Sequence, residues 1–234
     1  MKITGVITGD IVNSRRMTGK SRQKLYADFK KFLANLQKNG WLNEYELFRG
    51  DSFQCSVEKK ETTLRVSLII RSFIKSYISL EHKEQYKKTA EINQSVSKGY
   101  FPGKQDIRLG IGIGKFDFIK KGDLSHSDGQ VFQLSGETLD SLKKFPFRMM
   151  VKTSDNKFNA SVEPSILLLD AVIQKWTNTQ AETVLLKLEN LKEEEIARKL
   201  KISQSAVNQR TKTAQWYAIE KLIVYFEDTL KEWK

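Results

Sequence analysis

The stretch Ile107–Gly114 constrains the fold more than any other part of the chain. Ile107, Leu109, Ile111 and Ile113 alternate with Arg108, Gly110, Gly112 and Gly114. Apolar residues at period two make a β-strand. The other face is almost bare, so a helix can approach the backbone closely there. The spacing G-x-G-x-G lacks the longer final gap of a dinucleotide fingerprint, and no helix opens after it.

Around this strand the chain reads as strand, helix, hairpin, helix, strand, helix, strand. A β-branched run from Ile3 ends in Gly9-Asp10. Leu25, Phe29, Phe32, Leu33 and Leu36 follow helical spacing behind Ser21, a candidate cap. Two short runs flank Gly50-Asp51 and predict a β-hairpin. Val66, Ile70, Phe73, Tyr77 and Leu80 line one face of a second helix. Residues 82–105 are polar and basic and predict a helix extension and a loop. A helix is expected from Gly129 to Lys144 and a last strand from Phe147 to Lys152. Hairpins mixed with helices, without regular βαβ alternation, predict an α+β fold with helices on one face of an antiparallel sheet. Residues 153–163 read as a linker, and everything beyond Pro164 reads as helical. The expected domains are 1–155 and 164–234.

Composition narrows the chemistry. The chain has 234 residues and a formal net charge of +12. Residues 181–234 hold 10 Lys/Arg against 9 Asp/Glu, so the excess lies in residues 1–180. A basic surface attracts phosphates of nucleotides or nucleic acid. A single cysteine, Cys55, excludes an internal disulfide and a cysteine cluster for zinc. His82 and His126 stand apart, which leaves a hard, oxygen-ligated cation as the metal chemistry the composition permits. No apolar run is long enough to span a membrane. Met1-Lys2 leads straight into a strand, so no signal peptide and a cytoplasmic location are expected.

The two Gly-Asp turns carry the first candidate site. Strand and hairpin are expected to be neighbours, which sets Asp10 near Asp51. Two unpaired carboxylates repel. A divalent ion, Mg²⁺ or Mn²⁺, would relieve that, and Mg²⁺ takes one or two carboxylates plus substrate phosphates. Gly9-Asp10-Ile11-Val12, Arg49-Gly50-Asp51-Ser52-Phe53 and Arg108–Gly114 resemble, in this order, the palm domain of class III nucleotidyl cyclases. With Gly9 to Arg15 and the Leu-Gly-Ile-Gly-Ile-Gly strand added, the first 150 residues or so look like the bacterial SatD family. The resemblance implies a ferredoxin-like palm, metal ligands at Asp10, Asp51 and the Ile11 carbonyl, and a nucleotide held near Gly9, Asn13, Arg15, Gly50 and Gln133. Cyclases place an Asn and, four residues on, an Arg in the helix after Gly129. This chain offers Gln133 and Glu137. A Glu is the wrong sign beside a triphosphate, which leaves Arg15, Arg16 or Arg108 to supply positive charge.

The second candidate lies at Glu193–Arg210. It fits a helix, a three-residue turn and a second helix. Ile196, Ala197 and Leu200 would meet Ile202 and Val207, with Ser203 as cap. This resembles the helix-turn-helix of sigma-factor region four and of LuxR-type regulators, with Lys201 at the usual turn glycine. No acid occurs between Ile196 and Ile219. Ser203, Gln204, Ser205, Asn208, Gln209 and Lys212 are the candidate DNA contacts, because Gln and Asn read adenine edges and Lys reads guanine or phosphate. Trp216, Ile219, Ile223, Phe226, Leu230 and Trp233 then form an apolar stripe that either packs internally or pairs two chains. The reading as a whole is a homodimeric DNA-binding regulator with a nucleotide-binding palm. The alternatives are a nucleotidyl cyclase or related phosphoryl-transfer enzyme, and a structural adaptor.

Overall fold

A computed structural model describes residues 2–12, 14–48, 50–78 and 105–233. Five strands form one sheet: β1 (Ile3–Val12), β2 (Leu42–Phe48), β3 (Ser52–Val57), β4 (Asp106–Lys115) and β5 (Met149–Thr153), in the order β2-β3-β1-β4-β5. The described residues also form eight α-helices: α1 (Gly19–Lys38), α2 (Thr63–Ser76), α3 (Gln130–Leu142), α4 (Asn156–Gln174), α5 (Asn178–Leu188), α6 (Glu193–Leu200), α7 (Gln204–Thr213) and α8 (Trp216–Lys231). The fold is α+β. The extension and loop expected at 82–105 lie almost wholly outside the described residues.

Two features of the sheet differ from expectation. It is mixed: β5 runs parallel to β4, in register from Leu109 with Met149 to Ile113 with Thr153. The connection between them contains α3, and a helical crossover returns the chain to run in the same direction. Helices also cover both faces. In the ladders Gly9 lies opposite Phe53 and Leu109, whereas Thr8 lies opposite Gln54 and Gly110. On the Phe53 side sits α1, whose Phe29 meets Phe53 edge-on at 5.3 Å between centroids. On the Gly110 side sits α3. A Cβ at Gly110 would stand 2.4 Å from the Ser135 carbonyl oxygen, and one at Gly112 2.5 Å from that of Val131. The glycines serve close helix packing, as the bare strand face predicts.

Local signals place most helices correctly and misjudge three. The N-cap of α1 is Thr18, whose hydroxyl accepts from the Ser21 amide. The expected linker is instead the start of α4: Asp155 caps it by accepting from the Lys157 and Phe158 amides at 2.8 and 3.1 Å. Phe158, Val162, Ile166, Leu169 and Ile173 then recur at helical spacing and are buried, so an apolar stripe runs through the polar-looking segment. Helix α2 does not keep one apolar face. It is buried nearly all round, Arg71 and Lys75 included, because the sheet, α5 and α8 pack on it and Asp170 of α4 reaches Arg71. One apolar cluster extends from Ile7 of β1 to Leu230 of α8. The Trp216–Leu230 stripe faces into this cluster, with Phe226 and Trp233 against Phe158. The stripe therefore packs internally.

Candidate nucleic-acid interface and the polar sheet face

Helices α5, α6 and α7 make a three-helix unit with its own small core. Leu186, Ile196, Ala197 and Val207 are buried together, with Leu191, Leu200 and Ile202 packed against them. The cause is local. Glu195 accepts from the Lys192 amide at 2.7 Å and closes the first turn of α6. Lys201 ends that helix in the left-handed region at φ 56, the conformation that usually selects glycine. The Ile202 amide bonds back to the Ala197 carbonyl at 3.1 Å. The Ser203 hydroxyl then accepts from the Ala206 amide at 3.2 Å and starts α7.

This leaves one polar face of α7 outward. Gln204, Ser205, Asn208, Gln209 and Lys212 are all exposed. Among the described residues the side chains of Gln204, Asn208, Gln209 and Lys212 have no hydrogen-bond or ion-pair partner. Ser203 is different: its hydroxyl is committed to the cap and to Ser205, at 2.8 Å. Arg198 and Lys199, in the last turn of α6, and Lys201, in the turn before α7, are exposed. Two acids temper the charge. Burial pushes the Glu182 carboxyl up, against the pull of Arg210, and burial likewise raises Glu189, against Lys199.

The unit is fastened to the sheet body. Asn178, at the start of α5, donates to the backbone carbonyls of Lys75 and Tyr77 at the end of α2, at 2.8 and 3.2 Å. The Trp176 indole donates to the Ala214 carbonyl at 3.0 Å, between α7 and α8. Arg65 of α2 grips Glu227 of α8 with both carboxylate oxygens engaged, at 2.6 and 3.2 Å.

Beneath these contacts lies a charge cluster that sequence reading missed. Arg71 is fully buried and forks onto both oxygens of Asp106 at 3.0 and 3.1 Å, and it also pairs with the fully buried Asp170. Lys75 lies 3.6 Å from Asp106. Asp170 further accepts from Gln174 at 2.7 Å and from the Arg148 amide at 3.2 Å. Burial alone would raise the Asp106 carboxyl, but Arg71 and Lys75 outweigh it and hold it below the usual carboxylate range. Burial dominates at Lys75 and pulls it below the usual lysine range. The available signal was Arg71 and Lys75, two cations one helical turn apart on a largely apolar helix. Both are paired inside.

The palm-like candidates occupy the end of β1 and the hairpin turn. Asp10 lies opposite Ser52 in the ladder, and the Ile11 amide donates to the Asp51 carbonyl at 2.8 Å, so the two Gly-Asp turns are neighbours as expected. Their side chains are committed otherwise. Arg108, opposite Asp10 on β4, engages both Asp10 oxygens at 3.0 Å each. Asp51 accepts from the Ser14 hydroxyl at 3.1 Å. A divalent ion does not fit this donor set as it stands, because the guanidinium already occupies the Asp10 carboxylate and would repel a second cation.

The two glycine candidates serve the fold. A Cβ on Gly9 would stand 2.4 Å from the Phe53 ring, on the sheet face opposite the Asp10 side chain. Gly50 adopts φ +82 in the turn and lies under the Tyr26 ring. Both glycines have a role in packing or in the turn. Gln133 and Glu137 are exposed on α3, whose inward residues are Val131, Ser135, Thr138, Leu139 and Leu142. Arg15 is exposed in a single 3-10 turn, Ser14–Arg16. Asn13 lies outside the described residues. What the polar face does hold is a hydrogen-bonded row: Gln54 donates to Thr8 at 2.9 Å, and Thr8 meets Ser135 at 2.9 Å.

No known protein-family model matches the chain, and no curated protein matches it significantly. No described helix is long and apolar enough to cross a membrane.

Proposed function

We propose that this protein is a DNA-binding regulator that reads the major groove with α7, the second helix of the α6–α7 helix-turn-helix. The observation that carries the reading is the outward face of α7. Gln204, Asn208, Gln209 and Lys212 are exposed and unpartnered on a helix whose other side is fixed by Val207 and Thr211. Unpaired amides on a rigid helix suit base edges, and the neighbouring Arg198, Lys199 and Lys201 suit phosphates. The test is binding to duplexes selected from a random pool. Wild type should enrich a defined sequence, and an Asn208→Ala/Gln209→Ala protein should keep its fold but lose that preference. Enrichment that survives the double substitution refutes this use of α7.

A second reading gives the sheet a nucleotide ligand held through Mg²⁺. The observation in its favour is the adjacency of Asp10 and Asp51, and the requirement it carries is release of Arg108 from Asp10. Thermal shift with Mg²⁺ and nucleoside triphosphates, wild type against Asp51→Ala, tests it. A stabilisation lost in the variant supports the reading, and no shift in either protein removes it.

A further inference from the structure

The outer face of α8 carries apolar side chains that nothing covers among the described residues. Tyr217, Val224 and Tyr225 are exposed there at 72%, 43% and 53%, and Leu168 of α4 beside them at 70%. Leu168 and Val172 of α4 with Ala218 and Leu222 of α8 line an adjoining groove of about 250 Å³. The buried stripe of α8 runs through Trp216, Ile219, Ile223, Phe226 and Leu230. At helical spacing, Tyr217, Lys221, Val224 and Asp228 lie on the opposite side. Together they form a second, outward seam.

The charges in this seam select the occupant. Lys221 stands three residues before Val224 and lies over the Tyr217 ring; Asp228 stands three residues after Tyr225 and pairs with Lys231 at 2.9 Å on the open surface, a pair weak enough for a partner's lysine to replace. A two-fold contact pairs residue i with j and j with i. Two copies of α8 laid antiparallel about the point between Val224 and Tyr225 therefore set each Lys221 against the partner's Asp228. Val224 meets the partner's Tyr225 at the centre. Sliding the axis to Lys221 would oppose like charges. A seam that is complementary to its own reversed copy fits a second copy of this chain. We infer that the protein forms a two-fold dimer through the outer face of α8, with the Lys221–Asp228 pair made twice across it.

The inference rests on the surface of α8 and not on DNA binding. It would add what that reading needs, since residues 181–234 are nearly neutral and two heads double the phosphate contacts. The test is sedimentation of the DNA-free protein over a roughly hundredfold concentration range. Wild type should show a monomer–dimer equilibrium. Lys221→Asp and Asp228→Lys should each weaken it about tenfold or more, and the combined reversal should restore it to within about threefold. Tyr225→Asp should abolish it, with circular dichroism unchanged because the position is exposed. A monomer at every concentration overturns the inference and leaves the face to a different occupant. Dimerisation unaffected by the single reversals, or not restored by the double, overturns it as well. Sequence-selective DNA binding by a strict monomer would leave the DNA reading standing alone.

Discussion

The α7 face and the polar face of the sheet both carry residues that sequence reading marks as functional, and the fold treats them in opposite ways. On α7 the packing residues Val207 and Thr211 point inward, so Gln204, Asn208, Gln209 and Lys212 remain without partners. On the sheet nearly every marked residue is taken up: Asp10 by Arg108, Asp51 by Ser14, Gly9 by Phe53 and Gly50 by Tyr26. A helix separates its faces through its period, so a few local residues decide which side stays free. A strand residue meets neighbours from other strands, and register decides whether its charge is free or paired. Polar side chains therefore stay available on α7 and become committed on the sheet.

The largest effect is expected at the buried cluster that joins α2, β4 and α4. Asp170→Ala removes one of the two carboxylates on Arg71. It should cost about 3 kcal/mol or more in denaturant unfolding, with a Tm lower by roughly 10 °C. A loss below about 1 kcal/mol would place the joint elsewhere.

At the α7 face, Gln209→Ala should cost about 1–3 kcal/mol of discrimination at one base position while leaving Tm unchanged. Lys212→Ala should weaken binding evenly across sequences and lower the salt slope by about one. If Tm falls instead, these side chains serve the fold and the contrast with the sheet disappears.

Acid should weaken the cluster only after Glu182 of α5 and Glu189 at its end have taken up their protons. Asp106 is held below its usual range, so its contribution is full above about pH 4 and is lost as pH falls through its lower folded value. Asp106→Asn should flatten that limb of the stability–pH curve. A limb that does not change would assign the acid sensitivity to other carboxylates.

The smallest effect is expected on the sheet. The Asp10–Arg108 pair is about one-fifth exposed on each side. Asp10→Asn should cost no more than about 1 kcal/mol in stability. A larger loss would make this pair a structural joint comparable to Arg71.

Legibility follows the same division. The α6–α7 pair is encoded within some twenty consecutive residues: Glu195 and Ser203 set its helix starts, and Ile196, Ala197 and Val207 its core. The bare face of β4 likewise announces close helix packing, and α3 supplies it. The partner of Asp10 was not legible, because Arg108 lies 98 residues away and meets it only through ladder register. The parallel run of β5 depends on how α3 crosses over. The burial of Arg71 and Lys75 depends on Asp106 and on Asp170 of α4, a helix whose first turns resemble a linker by composition. Each of these needed a tertiary contact to decide between two locally reasonable readings.

The central claim is that α7 reads DNA, and selection from a random duplex pool, with wild type and the Asn208→Ala/Gln209→Ala protein in parallel at several salt concentrations, tests it most directly. The account predicts one enriched sequence for wild type, lost in the variant while salt-dependent non-specific binding remains. No enrichment by the wild type, or the same enriched sequence in both proteins, would contradict it.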